Sequence, residues 1–316
     1  MTALGDILHL LFTANLWQAT LAAAVLLLLP ALGGTISERS GVVNIAMEGM
    51  MLTGAFFGVV ADLAWHNVWA ATGVAMLAGG LMASVHAIVS IQFRADQIVS
   101  GIAINIFAAG LTVFLVNRIY GLQDVGHVGQ SELLPNINVL GLDQLPFFGK
   151  VLFQQNIIVY VALVLLVATQ IVLFRTKLGL RIRAVGEHPM AADTAGINVF
   201  LIRYGCVITS GLLSGLSGAF LAIGVSNTFV PNMTDGRGYI ALAAMIFGKW
   251  TPLGAFIACL IFGLGEAIYA NNSIIHVSQY LLSMLPYLIT LVVLAGLVGR
   301  STPPAHDGLP YVPGSE

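Results

Sequence analysis

Apolar residues run almost unbroken through this 316-residue chain, and polar residues divide it into nine stretches, at about 16–33, 42–61, 68–93, 97–117, 154–174, 204–226, 239–248, 253–270 and 278–298. A spanning helix needs about 20 apolar residues, so most of these stretches predict membrane spans. Two depart from the pattern. The stretch 42–61 is interrupted by Asn44, Glu48 and several glycines, and 239–248 has only ten residues, enough as a helix for about half the hydrocarbon thickness. Broken or short segments at membrane depth occur where they are buried in protein or line a cavity. Both are therefore expected to frame a pathway. The expected fold is an all-α polytopic bundle of about 8–10 spans, including broken or short segments, with residues 1–300 forming a single transmembrane domain.

The longest polar interruption of the second half, Arg175 to Arg203, carries Arg175, Lys177, Arg181, Arg183 and Arg203, five of the twelve basic residues. Within it Pro189 suits a first helical position, Met190 to Ala195 are mostly good helix formers, and Gly196 suits the residue just past the end. The stretch reads as a short docking helix between spans or as an ordinary basic loop. If the run 239–248 crosses and the amino terminus is outside, nine basic residues fall on the cytoplasmic side (Arg39, Arg94, Arg175, Lys177, Arg181, Arg183, Arg203, Lys249 and Arg300) and three outside (Arg118, Lys150 and Arg237). The positive-inside rule selects this orientation, which makes the 175–203 loop cytoplasmic. The connection at about 118–153 is then external, and its Gly, Asn and Pro content predicts an ordered loop or a short amphipathic piece. Trp65 and Trp69 fall near the outer boundary, where an aromatic belt belongs. Residues 301–316, polar and proline-rich, predict a disordered cytoplasmic tail. No Lys or Arg precedes Arg39, so the first stretch lacks the basic region of a secretory signal and is expected to be an uncleaved span.

Composition agrees: 58% of residues are hydrophobic and 8% charged, against about 25% charged in soluble domains. The chain is an integral membrane protein surrounded by membrane lipid. The net charge of −2 says nothing about nucleic acid, but no basic run interleaved with aromatics suggests it, and no nucleic-acid partner is expected. Cys206 and Cys259 sit in apolar runs as small buried groups, and the histidines lack ligand spacing. No metal, cofactor or catalytic residue is expected. The phosphate-binding pattern is also missing: Gly248 and Lys249 adjoin, but Ala243 stands where the first glycine belongs. The chain is therefore not expected to hydrolyse ATP itself by that route.

Glu48 and Glu266 are acids inside apolar runs, where a carboxylate is costly and faces the protein interior or water. Glu48 either lines a path or bonds the backbone of its broken segment; Glu266 lies near the outer end of its run and could reach the interface. Asn44, Asn105, Ser214 and Asn227 are neutral polar groups in or near spans, able to bond a solute or a neighbouring helix. With Glu48 they form the expected pathway set. Gly211, Gly215 and Gly218 mark a small-residue packing face. The triplets Gly54-Ala55-Phe56 and Gly254-Ala255-Phe256 hint at an internal duplication.

Four segments together carry a resemblance: SERSGVVNIAMEGMMLTGAF from Ser37, ADQIVSGIAINIFAAGLT from Ala95, GLRIRAVGEHPMAADTAGINV from Gly179 and GYIALAAMIFGKWTPLGA from Gly238. Over about residues 16–298 the chain resembles the permease subunits of bacterial ABC importers in the branched-chain amino acid, ribose and nucleoside class, and is most similar to the nucleoside and simple-sugar branch. The resemblance implies a nucleoside or related ribose-containing solute, with a simple sugar or a branched-chain amino acid as alternatives. It implies a second homologous permease subunit, cytoplasmic ATP-binding subunits, an extracytoplasmic solute-binding lipoprotein and a place in the bacterial inner membrane. The 175–203 loop matches the family's coupling loop, which carries Arg183, Gly186, Glu187, Pro189, Ala192 and Gly196 to the ATPase. His188 stands where the family often has Asn, a better cap, so either Glu187 helps or the helix begins differently. The rival from another class is an ion-coupled secondary transporter using Glu48 as its proton or cation site.

Overall fold

Short polar side chains start most of the helices. Asn67 accepts from the backbone N–H groups of Trp69 and Ala70, Asp96 from Ile98 and Val99, Asn198 from Leu201 and Thr251 from Gly254, so each satisfies donors that a helix start leaves free. The structure, a computed structural model, describes residues 11–121, 130–138 and 147–271, then 301–314, with the single positions 145, 284 and 288. The stretch 278–298, expected to span, lies almost entirely outside the described residues, as do Asp124 and Asp143 of the external connection.

The helices are α1 (Ala14–Arg39), α2 (Met47–Trp65), α3 (Val68–Ala87, prolonged by a π-helical turn, Ile88–Gln92) and α4 (Gln97–Tyr120). They continue with α5 (Ile157–Arg175), α6 (Lys177–Glu187), α7 (Pro189–Thr194), α8 (Val199–Ala219, with a π-helical turn, Phe220–Ser226), α9 (Arg237–Phe247) and α10 (Pro252–Ala270). Two short strands, β1 (Asn136–Asn138) and β2 (Gln154–Asn156), pair antiparallel with Asn136 opposite Asn156. Seven helices among the described residues are long and apolar enough to cross a membrane. The multi-pass helical expectation holds.

Helices α1, α2 and α8 are mostly buried, and α4 and α5 turn most of their surface outward. The closest packing joins α2, α3 and α8 through glycine: a methyl group on Gly54 would lie 2.6 Å from the Gly215 Cα, and one on Gly215 would collide with the Ala75 carbonyl. The two Gly-Ala-Phe triplets occupy unlike settings, Gly54 midway along α2 and Gly254 in the first turn of α10.

Arg39 and Arg183 both stack on Phe174, with guanidinium carbons 5.7 and 5.2 Å from the ring centre. Arg39 also donates to the carbonyls of Trp250 (2.9 Å) and Lys249 (3.3 Å). The end of α1, the 175–203 loop and the α9–α10 turn therefore share one end of the bundle, which the basic-residue count makes cytoplasmic. At the opposite end the β1 region is tied down, Ser131 N donating to Asn227 O and Glu132 N to Asp62 Oδ2. Trp65 and Trp69 are exposed there.

Four details differ from expectation. Helix α1 runs to Arg39 because its polar end finds partners inside the protein, Thr35 on Ala31 O and Ser37 on Val42 O. The 42–61 stretch is a non-helical connection, residues 41–46, followed by an unbroken 19-residue helix, about 28 Å long. Arg203, counted as a solvated loop charge, is 1% exposed in the first turns of α8. The tail is not disordered: 301–314 lies against the cytoplasmic end, where Tyr311 buries its ring and backbone groups meet Gly186 and Glu187. Proline and polar content fail as a guide here because the partners of these residues lie far away in sequence.

Replacing Gly215 by Val should lower the melting temperature of the detergent-solubilised protein, the overpacking costing about 1–3 kcal/mol. Gly73→Val, where a side chain meets nothing within 4 Å, should leave the melting point in place; equal effects at the two sites would contradict the packing described.

Candidate solute pathway and coupling surface

A backbone that leaves the helix at membrane depth must find partners within the protein. Val43 N donates to Gln97 Oε1 (2.7 Å), and Val43 O faces His86 Nε2 (3.0 Å). Asn105 serves both sides of the segment, its Nδ2 donating to Ile45 O (2.9 Å) and its Oδ1 accepting from Gly49 N (2.8 Å). Asn44 accepts from Ala46 N (3.2 Å) and donates to Ser210 Oγ (2.8 Å). In the first turn of α2, Glu48 takes Gly236 N on Oε1 (2.9 Å) and Gly238 N on Oε2 (2.7 Å). Its carboxylate thus caps the start of α9, where the helix dipole favours negative charge. Asn105 Nδ2 also donates to Tyr239 Oη (2.9 Å). The non-helical segment and the 11-residue helix α9 meet at one junction inside the bundle.

Beside that junction lies a cavity of about 620 Å³, within the range of roughly 300–1,000 Å³ for small-molecule sites. Ala19, Ala22, Ala23, Leu26, Leu221 and Ile240 form its apolar wall. Asp235, Tyr269 and the Arg237–Glu266 pair (3.3 Å) supply polar edges.

None of the five expected pathway residues lines this cavity. Asn44, Glu48 and Asn105 are brought together, but their polar atoms serve the irregular backbone. Ser214 is fully buried in α8, and its hydroxyl has no partner among the described residues. Asn227 sits at the outer end of α8 with φ +49°, its carbonyl accepting from Ser131 N. Arg237, read as an outside loop charge, and Glu266, read as near the interface, form the ion pair instead. Glu38 was also missed: at the end of its run beside Arg39 it looks interfacial, yet it is 3% exposed and accepts from Trp250 Nε1 at 2.6 Å.

At the basic end of the bundle, α7 buries Pro189 and Ala192 and exposes Ala191, Asp193 and Thr194, with Ala195 exposed just past it. His188 makes no side-chain cap bond. Glu187 does not supply one either, because its carboxylate accepts from Ala305 N (3.1 Å). Gly196 stops the helix as expected, with φ +80° and Ile197 N donating to Ala192 O (3.0 Å). Gly186 lies so close to α1 that a methyl group there would collide with the Arg39 carbonyl. Arg183, stacked on Phe174, holds α6 against α5. The loop is therefore two helices, α6 with Ile182, Val185 and Gly186 buried and α7 displayed beyond it.

A helical bundle with a non-helical junction inside it and a short helix displayed at its basic end is built as a membrane permease. The chain belongs to the family described as branched-chain amino acid transport system / permease component, whose model matches residues 17–294. It is 42% identical over 310 residues to the guanosine ABC transporter permease protein NupQ of Bacillus subtilis, covering 94% of this chain and 96% of that one. It is 39% identical over 297 residues to the nucleoside ABC transporter permease protein NupC of Lactococcus lactis, covering 90% and 93%. With the putative glucose ABC transporter permease protein TsgC13 of Haloferax volcanii the identity is 35% over 310 residues, covering 92% and 93%. No solved structure matches the chain.

Glu48→Gln should loosen the start of α9, since an amide offers one acceptor oxygen where two N–H groups now bond, and a lost bond of this kind costs about 1–3 kcal/mol. Hydrogen exchange of the Ile240–Met245 amides should speed up at least fivefold in the variant. Unchanged exchange would show that the carboxylate does not hold the half-helix.

Proposed function

We propose that this chain is the membrane-spanning subunit of an ATP-driven importer of nucleosides, working in the bacterial cytoplasmic membrane. The observation that carries the solute class is the identity of 42% and 39%, over nine-tenths of the chain, to permeases named for guanosine and for nucleosides. The cavity agrees with it chemically. An apolar wall suits the faces of a flat base, and Asp235, Arg237, Glu266 and Tyr269 offer donors and acceptors to the edges of a base or the hydroxyls of a ribose. A simple sugar is the second reading, favoured by the 35% identity to a putative glucose permease.

In this reading the chain pairs with a second homologous permease, receives solute from an extracytoplasmic binding lipoprotein, and docks cytoplasmic ATP-binding subunits through α7. Arg183, Gly186, Glu187, Pro189, Ala192 and Gly196 give the docking surface its shape. ATP binding pulls α7, and α6 moves with it because Gly186 is wedged against the end of α1. Arg39 bonds the α9–α10 turn, so the displacement reaches the half-helix whose far end Glu48 holds. Alternating packings biased from two sites are what coupling requires. An ion-coupled mechanism centred on Glu48 is disfavoured, because both its oxygens already serve backbone donors.

The test is uptake into proteoliposomes that contain this chain, its partner permease, the ATP-binding subunits and the binding protein. Radiolabelled guanosine should accumulate with ATP, and unlabelled glucose in excess should not compete; competition by glucose would transfer the solute to the sugar reading. Ala191→Arg, which enlarges the exposed face of α7, should cut ATP-driven uptake at least tenfold with the chain still inserted. Normal uptake in that variant would remove α7 from the docking role.

A further inference from the structure

Residues 301–314 form the second attachment of the docking helix. Ser301 Oγ donates to Ile246 O (3.2 Å) at the end of α9. Further on, Ala305 N meets the Glu187 carboxylate (3.1 Å) and His306 N meets Gly186 O (2.9 Å). Leu309 O accepts from Arg203 Nη1 (3.1 Å), whose Nε reaches Ser40 O (3.2 Å). Tyr311, 5% exposed, packs with Val185, Ala192 and Val199, its ring 5.6 Å from that of Phe200. Between these contacts the Asp307 carboxyl meets that of Glu38, whose Oε2 also accepts from the Trp250 indole (2.6 Å). Two carboxyl oxygens in hydrogen-bond contact need a proton between them.

We propose that this segment is a coupling strap, which ties the docking helix Pro189–Thr194 to the α9–α10 turn and passes its displacement to the half-helix α9. The inference rests on the reading of α7 as the ATPase-docking element. Geometry is its ground: one short segment bonds α6 at Gly186 and Glu187, buries a ring against Ala192 of α7, and meets Ile246 of α9 directly and Trp250 of the turn through Glu38. The other described attachments of α7 run through α6 and α8.

The proton in the strap sets the direction of a pH effect. Burial pushes the Asp307 carboxyl up from 3.8 to about 7, against the opposing pull of Glu38 and of Arg203. The groups facing it are Glu38 of α1 and Arg203 of α8, with Tyr311 of the strap on the other side of Arg203. The docked strap therefore holds a proton that a released one gives up. Docking weakens as pH rises through the range from about 4 to about 7.

The experiment compares the whole transporter in nanodiscs with variants lacking residues 301–316 or carrying Tyr311→Ala, Asp307→Leu or Asp307→Asn. Solute imported per ATP hydrolysed should fall at least fivefold in the first three with hydrolysis retained, and Asp307→Asn, which keeps a neutral partner for Glu38, should restore it. An unchanged ratio in Tyr311→Ala overturns the strap, as does a loss of hydrolysis in parallel with uptake. Hydrogen exchange gives a readout independent of transport. Amides of residues 189–196 should exchange at least tenfold faster in the truncated chain, those of residues 55–59 in the α2 core unchanged, and Asp307→Asn should abolish the pH dependence of protection between pH 5 and 7. Equal protection at 189–196 would sink the proposal by itself, whereas absence of ATP-driven uptake by the unaltered chain would count against the transporter reading alone.

Discussion

Every N–H and C=O that leaves a helix at membrane depth needs a partner from the protein, because the hydrocarbon supplies none and each unmet group costs several kcal/mol. Residues 41–46 meet this demand with side chains from three helices: Gln97 and Asn105 of α4, His86 of α3 and Ser37 of α1. Glu48 then answers the same demand for α9, taking two backbone donors at the start of a helix too short to reach a membrane surface at both ends. The two irregular elements are therefore one feature. A polar residue removed from either side would leave the other with unmet groups, and the junction that borders the cavity exists only while both are satisfied.

The cytoplasmic end depends on a related device. Arg39, Arg183, Arg203, Glu38 and Asp307 are charged or ionisable groups gathered under the docking helix, and most of their contacts are to backbone carbonyls, aromatic rings or one another. Such groups are expensive to bury and strongly directional once buried. They fix how α1, α6, α8 and the α9–α10 turn sit against each other. A displacement imposed at α7 has few soft contacts in which to dissipate before it reaches α9.

Much of this was legible in the sequence. The spans followed from hydropathy, and the boundaries of α7 from Pro189 and Gly196. Asn44, Glu48 and Asn105 were correctly singled out as unusual, but their partners were not legible: hydrogen bonds such as Glu48 to Gly236 span 188 positions, and nothing local distinguishes a carboxylate that holds backbone from one that meets solute. The same holds for Arg203 and Asp307. A basic residue at the edge of an apolar run reads as solvated, and a proline-rich tail reads as disordered, unless the opposite charge from a distant element is already in view.

Access to the junction from the two sides of the membrane tests the account most directly. Ile240 of α9 lines the cavity, and the two native cysteines, both buried, can be replaced by alanine so that Ile240→Cys carries the sole thiol. Labelling by a membrane-impermeant reagent should be fast from one side in the nucleotide-free transporter and fast from the other when the partner ATPases are trapped with nucleotide. Labelling from the same side at the same rate in both states would contradict a junction that the docking helix moves.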